Sequence, residues 1–262
     1  MNVFNKVMRP ADGAAWITGA SGGIGRATAL RLADKGWTVY ATARGADELE
    51  ALAGDVTGPG RVIPLPGDVT DAAAMEQAVA RITAEGSLAL VILNAGVYTP
   101  MRATNFEAAT AAKMLDVNLK GVTNALDPVL KAMIGAGSGH IAITASVAGY
   151  RGLPDAAVYS ATKAGLIAMC EALAMDLVDL GIRISVINPG FVDTEATSVN
   201  EFEMPFLMQP DEAARRIVEG LERPGFAITF PRRFSAILRV IGWLPNQAYI
   251  WAVRKATGWG QA

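Results

Sequence analysis

The sequence is poor in the residues that build disulfides and metal sites. Its single cysteine, Cys170, cannot close an internal disulfide, and with one histidine, His140, no His/Cys metal cluster can form. No metal site is expected. Charged residues make up only 18% and nearly cancel, to a net −2, which argues against a general nucleic-acid binder. No apolar run reaches the ~18 residues of a membrane-spanning helix. A glycine-rich turn begins at residue 18, so no signal peptide is expected ahead of the first strand, and a cytoplasmic protein is the expectation. Internal repeats and low-complexity segments are also missing. What is present, 262 residues at 52% hydrophobic, is enough for one large domain or two small ones with a sizeable core.

The chain is organised around the turn Thr18-Gly19-Ala20-Ser21-Gly22-Gly23-Ile24-Gly25. An apolar run, Ala14 to Ile17, reads as a buried strand before it, and Arg26 to Lys35 has helical apolar spacing after it. Strand, glycine-rich turn and helix together point to a phosphate site. Glycine lets a pyrophosphate approach the backbone, and the helix start offers amides and a favourable dipole. An ordinary tight turn is the alternative. Trp37 to Ala43 reads as the second strand, at whose end a dinucleotide site selective for NAD would carry an acidic residue. Here Ala43 is followed by Arg44, which can pair with a 2′-phosphate in bidentate fashion. The preference therefore leans to NADP(H) over NAD(H), unless Arg44 is only a solvated strand-end charge.

Further strands are expected at Arg61–Pro66, Leu88–Leu93, Gly139–Thr144, Ile182–Ile187 and Phe226–Phe230. Helices are expected over Asp71–Glu85, Phe106–Ile134, with the pattern interrupted near Gly121, and Val158–Leu180. Strands alternating with such helices mean right-handed crossovers and an α/β fold with a parallel sheet. Ligands then lie at the C-terminal strand ends, where Asp68, Asn94 and Ser146 fall. His140 begins its strand far from that edge and reads as a packing or surface residue, and Cys170, among Ile167, Met169 and Leu173, as core.

Tyr159 and Lys163 are four apart on a helix and share one face. An ammonium beside a phenol favours the phenolate and is expected to lower its pKa, which suits Tyr159 to proton exchange with a carbonyl/alcohol pair. Ser146, thirteen residues earlier, could hydrogen-bond the same substrate oxygen.

With these residues in view, the chain resembles the short-chain dehydrogenase/reductase family, in its short single-domain branch. The matching pieces are Thr18-Gly19…Gly23…Gly25, Asp68-Val69, Asn94-Ala95-Gly96, Asn118, Ser146, Tyr159…Lys163 and Asn188-Pro189-Gly190, in order from about residue 12 to 194. The resemblance implies a Rossmann-like, doubly wound seven-stranded parallel sheet between two helical layers. It implies Tyr159 as acid/base, Ser146 as orienter of the substrate oxygen, Lys163 on the nicotinamide ribose, and Asn118 holding a water of the proton relay. Gly19, Ser21, Gly22, Gly23, Ile24 and Gly25 would receive the pyrophosphate end of the cofactor. Asp68, Val69, Asn94, Ala95 and Gly96 would serve or support the adenosine end, and Pro189, Gly190, Val192 and Thr194 the carboxamide end. Leu93 stands where a second asparagine is frequent. No catalytic position is substituted, which disfavours a sensor or scaffold that binds cofactor without turnover. Small carbonyl or alcohol substrates, and a homodimer or homotetramer formed through the long helices, are the implied partners.

A single domain over residues 1–262 is expected, with a substrate lid near 195–210 and a tail from 224. Met204, Phe206, Leu207 and Met208 suit an apolar substrate, or a lid core. The tail carries five basic and no acidic residues, +5 after residue 223 against −7 before it, with Phe226, Phe230, Phe234, Trp243, Tyr249, Trp251 and Trp259. Two short amphipathic stretches broken at Pro245 fit either a peripheral membrane contact or packing on a subunit or the active site.

Overall fold

The computed structural model describes residues 6–199 and 204–258. In chain order the elements are β1 (Ala14–Thr18), α1 (Gly23–Asp34), β2 (Thr38–Thr42), α2 (Ala46–Gly54), β3 (Arg61–Pro64), α3 (Ala72–Glu85), β4 (Leu88–Leu93), α4 (Ala108–Leu115), α5 (Gly121–Ala136), β5 (Gly139–Thr144), α6 (Ala157–Leu177), β6 (Ile182–Pro189), α7 (Glu195–Ser198), α8 (Pro210–Leu221), β7 (Ala227–Phe230), α9 (Arg232–Gly242) and α10 (Asn246–Ala256). The strands form one seven-stranded parallel sheet in the order β3-β2-β1-β4-β5-β6-β7. The order reverses between β1 and β4, and that switch point is where an open α/β sheet offers a crevice.

Alternation along the strands divides the core in two. Ile17 of β1 packs with Leu32, Leu49 and Ile217, from α1, α2 and α8, on one face. Its neighbour Trp16 packs with Met75, Val129 and Leu166, from α3, α5 and α6, on the other. β4, β5 and β6 are buried along their whole length, as parallel strands covered on both faces must be. The doubly wound sheet expected from the sequence is thus the observed one.

The differences lie in the helices. The helix expected over Phe106–Ile134 starts at Ala108, and the interruption expected near Gly121 is a π-helical turn, Asp116–Lys120, that separates α4 from α5. That turn inserts an extra residue per turn and swings Asn118 inward, where it is fully buried. The α2 and α8 helices carry no expectation from the sequence. The α2 segment is short and buries only Leu49 and Leu52, while α8 packs on α1 through Ala213, Ala214 and Ile217. His140 is a packing residue, its Nε2 lying 2.9 Å from Ser185 Oγ at the closed end of the sheet. Cys170 is fully buried, and burial pushes its thiol up to about 12, as expected of a core residue.

Candidate active site

The β1–α1 turn is welded to β4 by short polar side chains. Thr18 Oγ1 accepts from the backbone N–H groups of Asn94 (3.1 Å) and Ala95 (3.2 Å). The Asn94 amide donates back to the Gly19 carbonyl at 3.3 Å, so Asn94 supports the turn from below. Gly19 has φ +69, and a Cβ there would lie 2.7 Å from Ala95 Cα. A Cβ on Gly25 would overlap the Gly19 carbonyl oxygen, so α1 can approach the loop this closely only with no side chain at position 25. Gly22 is the N-cap of α1 and offers no side-chain cap, and a Cβ built on it meets nothing within 4 Å. The first-turn amides therefore face an open, uncapped cradle, and this fits a pyrophosphate. Ser21 and Gly22 are exposed beside it, with Gly23 and Ile24 half-buried. Thr194 closes the cradle from the other side, its Cγ2 lying 2.9 Å from where a Gly23 Cβ would be.

Arg44 and Asp68 come together at the ends of β2 and β3. Asp68 Oδ1 accepts from Thr70 N and Thr70 Oγ1, each at 2.8 Å, and these bonds, with the nearby Arg44 charge, hold its carboxyl below the usual range. Arg44 itself is exposed at the strand end, open to an anion. Val69 is buried under the same edge, and its carbonyl accepts from Asn124 Nδ2 at 2.9 Å. At the opposite side Pro189 and Gly190 end β6. Val192 pairs with Met208 in an isolated bridge that ties this loop to the segment after it.

Asn118, Ser146, Tyr159 and Lys163 converge between these two ends. Asn118 Oδ1 accepts from Val97 N at 2.8 Å, and its Nδ2 donates to Val97 O at 2.9 Å and to Thr162 Oγ1 at 3.2 Å. Gly96 touches both partners: a Cβ there would lie 3.3 Å from Asn118 Oδ1 and 3.4 Å from Lys163 Nζ. Ser146 caps a 3-10 turn, accepting from Ala148 N at 3.1 Å, and its hydroxyl donates to the Pro189 carbonyl at 3.5 Å while lying near enough to the Tyr159 phenol to act on its proton affinity. Lys163 Nζ, nearly fully buried, donates to the Thr144 carbonyl at 2.8 Å.

The electrostatics correct one expectation. Burial raises the Tyr159 phenol above its ordinary value, and the neighbouring Ser146 hydroxyl offsets only part of that rise. The Lys163 ammonium stands 5.6 Å from the Tyr159 ring centroid and is bonded to a carbonyl instead. Burial brings Lys163 itself down to about 8. It is the titratable group nearest to working pH in this cluster.

Sequence reasoning missed several members. Thr162, between Tyr159 and Lys163, donates to Tyr159 O at 2.7 Å and accepts from Asn118, and so locks the helix face to the π turn. Tyr98 lies edge-on to Tyr159 with ring centroids 4.9 Å apart, and desolvation keeps its phenol neutral, at about 12. An aromatic residue two positions past Asn94-Ala95-Gly96 was the available signal. Beyond Tyr98, Phe191 and Phe206 both stack on Phe234 of α9, at 5.7 and 6.0 Å, which makes an aromatic wall beside the Pro189-Gly190 turn. Of the expected lid near 195–210, residues 200–203 lie outside the described residues.

Comparison with known proteins agrees with this geometry. Residues 13–203 match the short chain dehydrogenase family. An uncharacterized oxidoreductase of Myxococcus xanthus is 37% identical over 243 residues, 92% of this chain and 96% of the relative. A short chain dehydrogenase from Burkholderia cenocepacia, solved in complex with NADP, superposes with a TM-score of 0.80 at 25% identity, covering 94% of this chain and 99% of the other. An alcohol dehydrogenase from the archaeon Thermococcus sibiricus, complexed with 5-hydroxy-NADP, gives a TM-score of 0.76 at 27% identity over 83% of this chain and 95% of that one. The chain belongs to the short-chain dehydrogenase/reductase family, NAD(P)-dependent oxidoreductases that act on CH–OH groups.

Proposed function

We propose that the protein is an NADP(H)-dependent oxidoreductase interconverting a carbonyl and an alcohol on an apolar small molecule. The observation that carries this reading is the convergence of Ser146, Tyr159, Lys163 and Asn118 beside an open glycine cradle that has Arg44 at its far end. The bound nicotinamide would supply or accept the hydride at the substrate carbon. The remaining work falls to side chains of this chain. Ser146 Oγ and the Tyr159 phenol present two hydrogen-bond donors to one substrate oxygen, which polarises a carbonyl as it reacts. Tyr159 passes its proton to that oxygen in reduction and takes it back in oxidation. Lys163, at about 8, carries positive charge through most of the neutral range and steadies the phenolate left behind. Asn118, held by Val97 and Thr162, fixes the far end of the proton path.

The NADP(H) preference rests on Arg44 at the end of β2, and the NADP complexes of the two structural neighbours agree with it. Tyr98, Phe191 and Phe206 favour an apolar substrate. Leu115 on α4 and Met175 on α6 are large apolar side chains left exposed, as expected of a homodimer or homotetramer built on these helices. No helix among the described residues is long and apolar enough to cross a membrane, and the setting in this reading is the cytoplasm.

The test is turnover of a panel of aldehydes, ketones and secondary alcohols of graded apolar size, with each cofactor. Turnover with NADPH, rising with apolar size, is expected. Cofactor binding with no turnover across the panel would favour a sensor or scaffold instead.

A further inference from the structure

The tail sorts its aromatics into two sets. Phe230, Phe234 and Tyr249 face the protein: Phe230 is buried, Phe234 joins the aromatic wall, and Tyr249 Oη donates to Gly152 O at 2.8 Å. Arg151, on the loop between Ser146 and α6, holds the α9–α10 junction. It donates to the carbonyls of Gly242 (2.8 Å) and Leu244 (2.9 Å) and lies 4.1 Å over the Tyr249 ring. The tail is therefore docked on the catalytic loop rather than loosely tethered.

The second set faces outward. Ile237, Val240, Trp243, Leu244, Ile250 and Trp251 are six of the fourteen exposed large hydrophobics among the described residues, gathered in one fifteen-residue stretch. Trp243 is 85% exposed and Trp251 64%, far from what a tryptophan packed on its own chain would show. The charges that α9 and α10 themselves carry are all positive. Arg232 and Arg233 occupy the first turn of α9, where the helix dipole disfavours cations, and among the described residues neither has a carboxylate partner. Lys255 Nζ lies 5.1 Å over the Trp251 ring. Arg232 and Arg239 also line a groove of about 660 Å³ between α8, β7 and α9, whose other wall is already neutralised, Arg215, Arg216 and Arg223 being paired there with Glu212 and Glu219.

We infer that the outer face of α9 and α10 docks on an anionic lipid bilayer. Tryptophans and aliphatic side chains would enter the headgroup boundary while the arginines and Lys255 take lipid phosphates. Charge complementarity selects this occupant: a face with apolar residues and only cations matches an acidic lipid surface. A second copy of the chain would bring the same cations against themselves. Because Phe234 and Arg151 join this face to the aromatic wall and the catalytic loop, docking would bring the substrate mouth close to the lipid; that consequence rests on the proposed apolar substrate, the docking does not.

The test is flotation of the full chain with phosphatidylcholine vesicles, with and without phosphatidylglycerol, at low and high salt. Binding only to the anionic vesicles, weakened by salt, is expected. The pair Trp243→Ser and Trp251→Ser should lower partitioning ten-fold or more, and Arg232→Gln with Arg233→Gln and Lys255→Gln should remove the anionic preference. Circular dichroism establishes that each variant is folded, and none of these residues touches the reacting atoms, so the result is independent of any substrate. No binding at low salt, or binding that ignores both variants, would overturn the inference. So would sedimentation velocity in which Trp243→Ser and Trp251→Ser dissociate a lipid-free oligomer, since the face would then be a contact between copies.

Discussion

Lys163 Nζ donates to the Thr144 carbonyl at 2.8 Å while standing 5.6 Å from the centroid of the Tyr159 ring. The ammonium is thus anchored to β5 rather than spent on the phenol, and it remains free to serve whatever oxygen lies between them. Burial holds the phenol up and the ammonium down, so the two groups are further apart in proton affinity than in water, and the ammonium is the one that gives up its proton first.

Removing the phenol hydroxyl isolates its role. Tyr159→Phe keeps the ring contact with Tyr98 and should fold normally. Turnover should fall by about 10²–10⁴-fold, the range for loss of a positioned acid/base, with cofactor affinity little changed. Steady-state kinetics and cofactor titration measure both. Wild-type turnover from the variant would remove Tyr159 from its assigned role.

Cofactor choice turns on Arg44. If its guanidinium pairs with a 2′-phosphate, Arg44→Ala should weaken NADPH by about ten-fold or more, since a charged hydrogen bond is worth ~1.5–3 kcal/mol. NADH should be nearly unaffected. Equal losses for both cofactors, read by fluorescence titration, would sink the assignment.

Much of this was legible because the relevant signals are local. The buried strands announce themselves as apolar runs, and Gly19, Gly25, Tyr159 and Lys163 sit at fixed short spacings. The π turn at Asn118 was legible only as an interruption of the helical pattern near Gly121, because a break in period 3.6 does not say how the backbone accommodates it. Contacts made across the fold left no local trace either. Arg151 meets Gly242 and Tyr249 from more than ninety residues away, so the tail's division into inner and outer aromatics emerges only in three dimensions. The phenol's rise was missed for a related reason: spacing brings an ammonium near, but only the packing around Tyr159 says how much water is lost.

Gly22 and Gly25 separate folding from binding. A Cβ at Gly25 would overlap the Gly19 carbonyl and crowd Asn94 Nδ2, so Gly25→Ala should destabilise the protein, by roughly 1–3 kcal/mol as overpacking does. At Gly22 the space is open and φ is −157, so Gly22→Ala should change stability by less than about 1 kcal/mol. It places a methyl group in the cradle all the same. NADPH affinity should therefore drop in both variants while denaturant midpoints fall only in Gly25→Ala. A Gly22→Ala protein that binds NADPH as well as wild type would mean that the pyrophosphate lies elsewhere.

The last prediction uses the closed end of the sheet, away from the site. His140 is buried against Ser185, and burial together with the neighbouring Arg183 charge holds its pKa well below 6.5. Arg183 cannot move away, since its guanidinium donates to the carbonyls of Leu221, Arg223 and Gly225. In the folded protein the imidazole stays neutral below pH 6.5, while in the unfolded chain it takes up a proton. The unfolded state then binds more protons, so stability is fully present above pH 6.5 and is lost as pH falls below it. One unit below, the loss from this group alone should be about 1.4 kcal/mol. His140→Gln is expected to be less stable than wild type at pH 7.5, because it disturbs a packed site, but to lack this acid-dependent loss. Urea denaturation of both proteins at pH 7.5 and 5.5 gives the comparison, with the stability gap between them narrowing on acidification. Two parallel pH profiles would show that His140 can be protonated inside the fold, against the burial seen here.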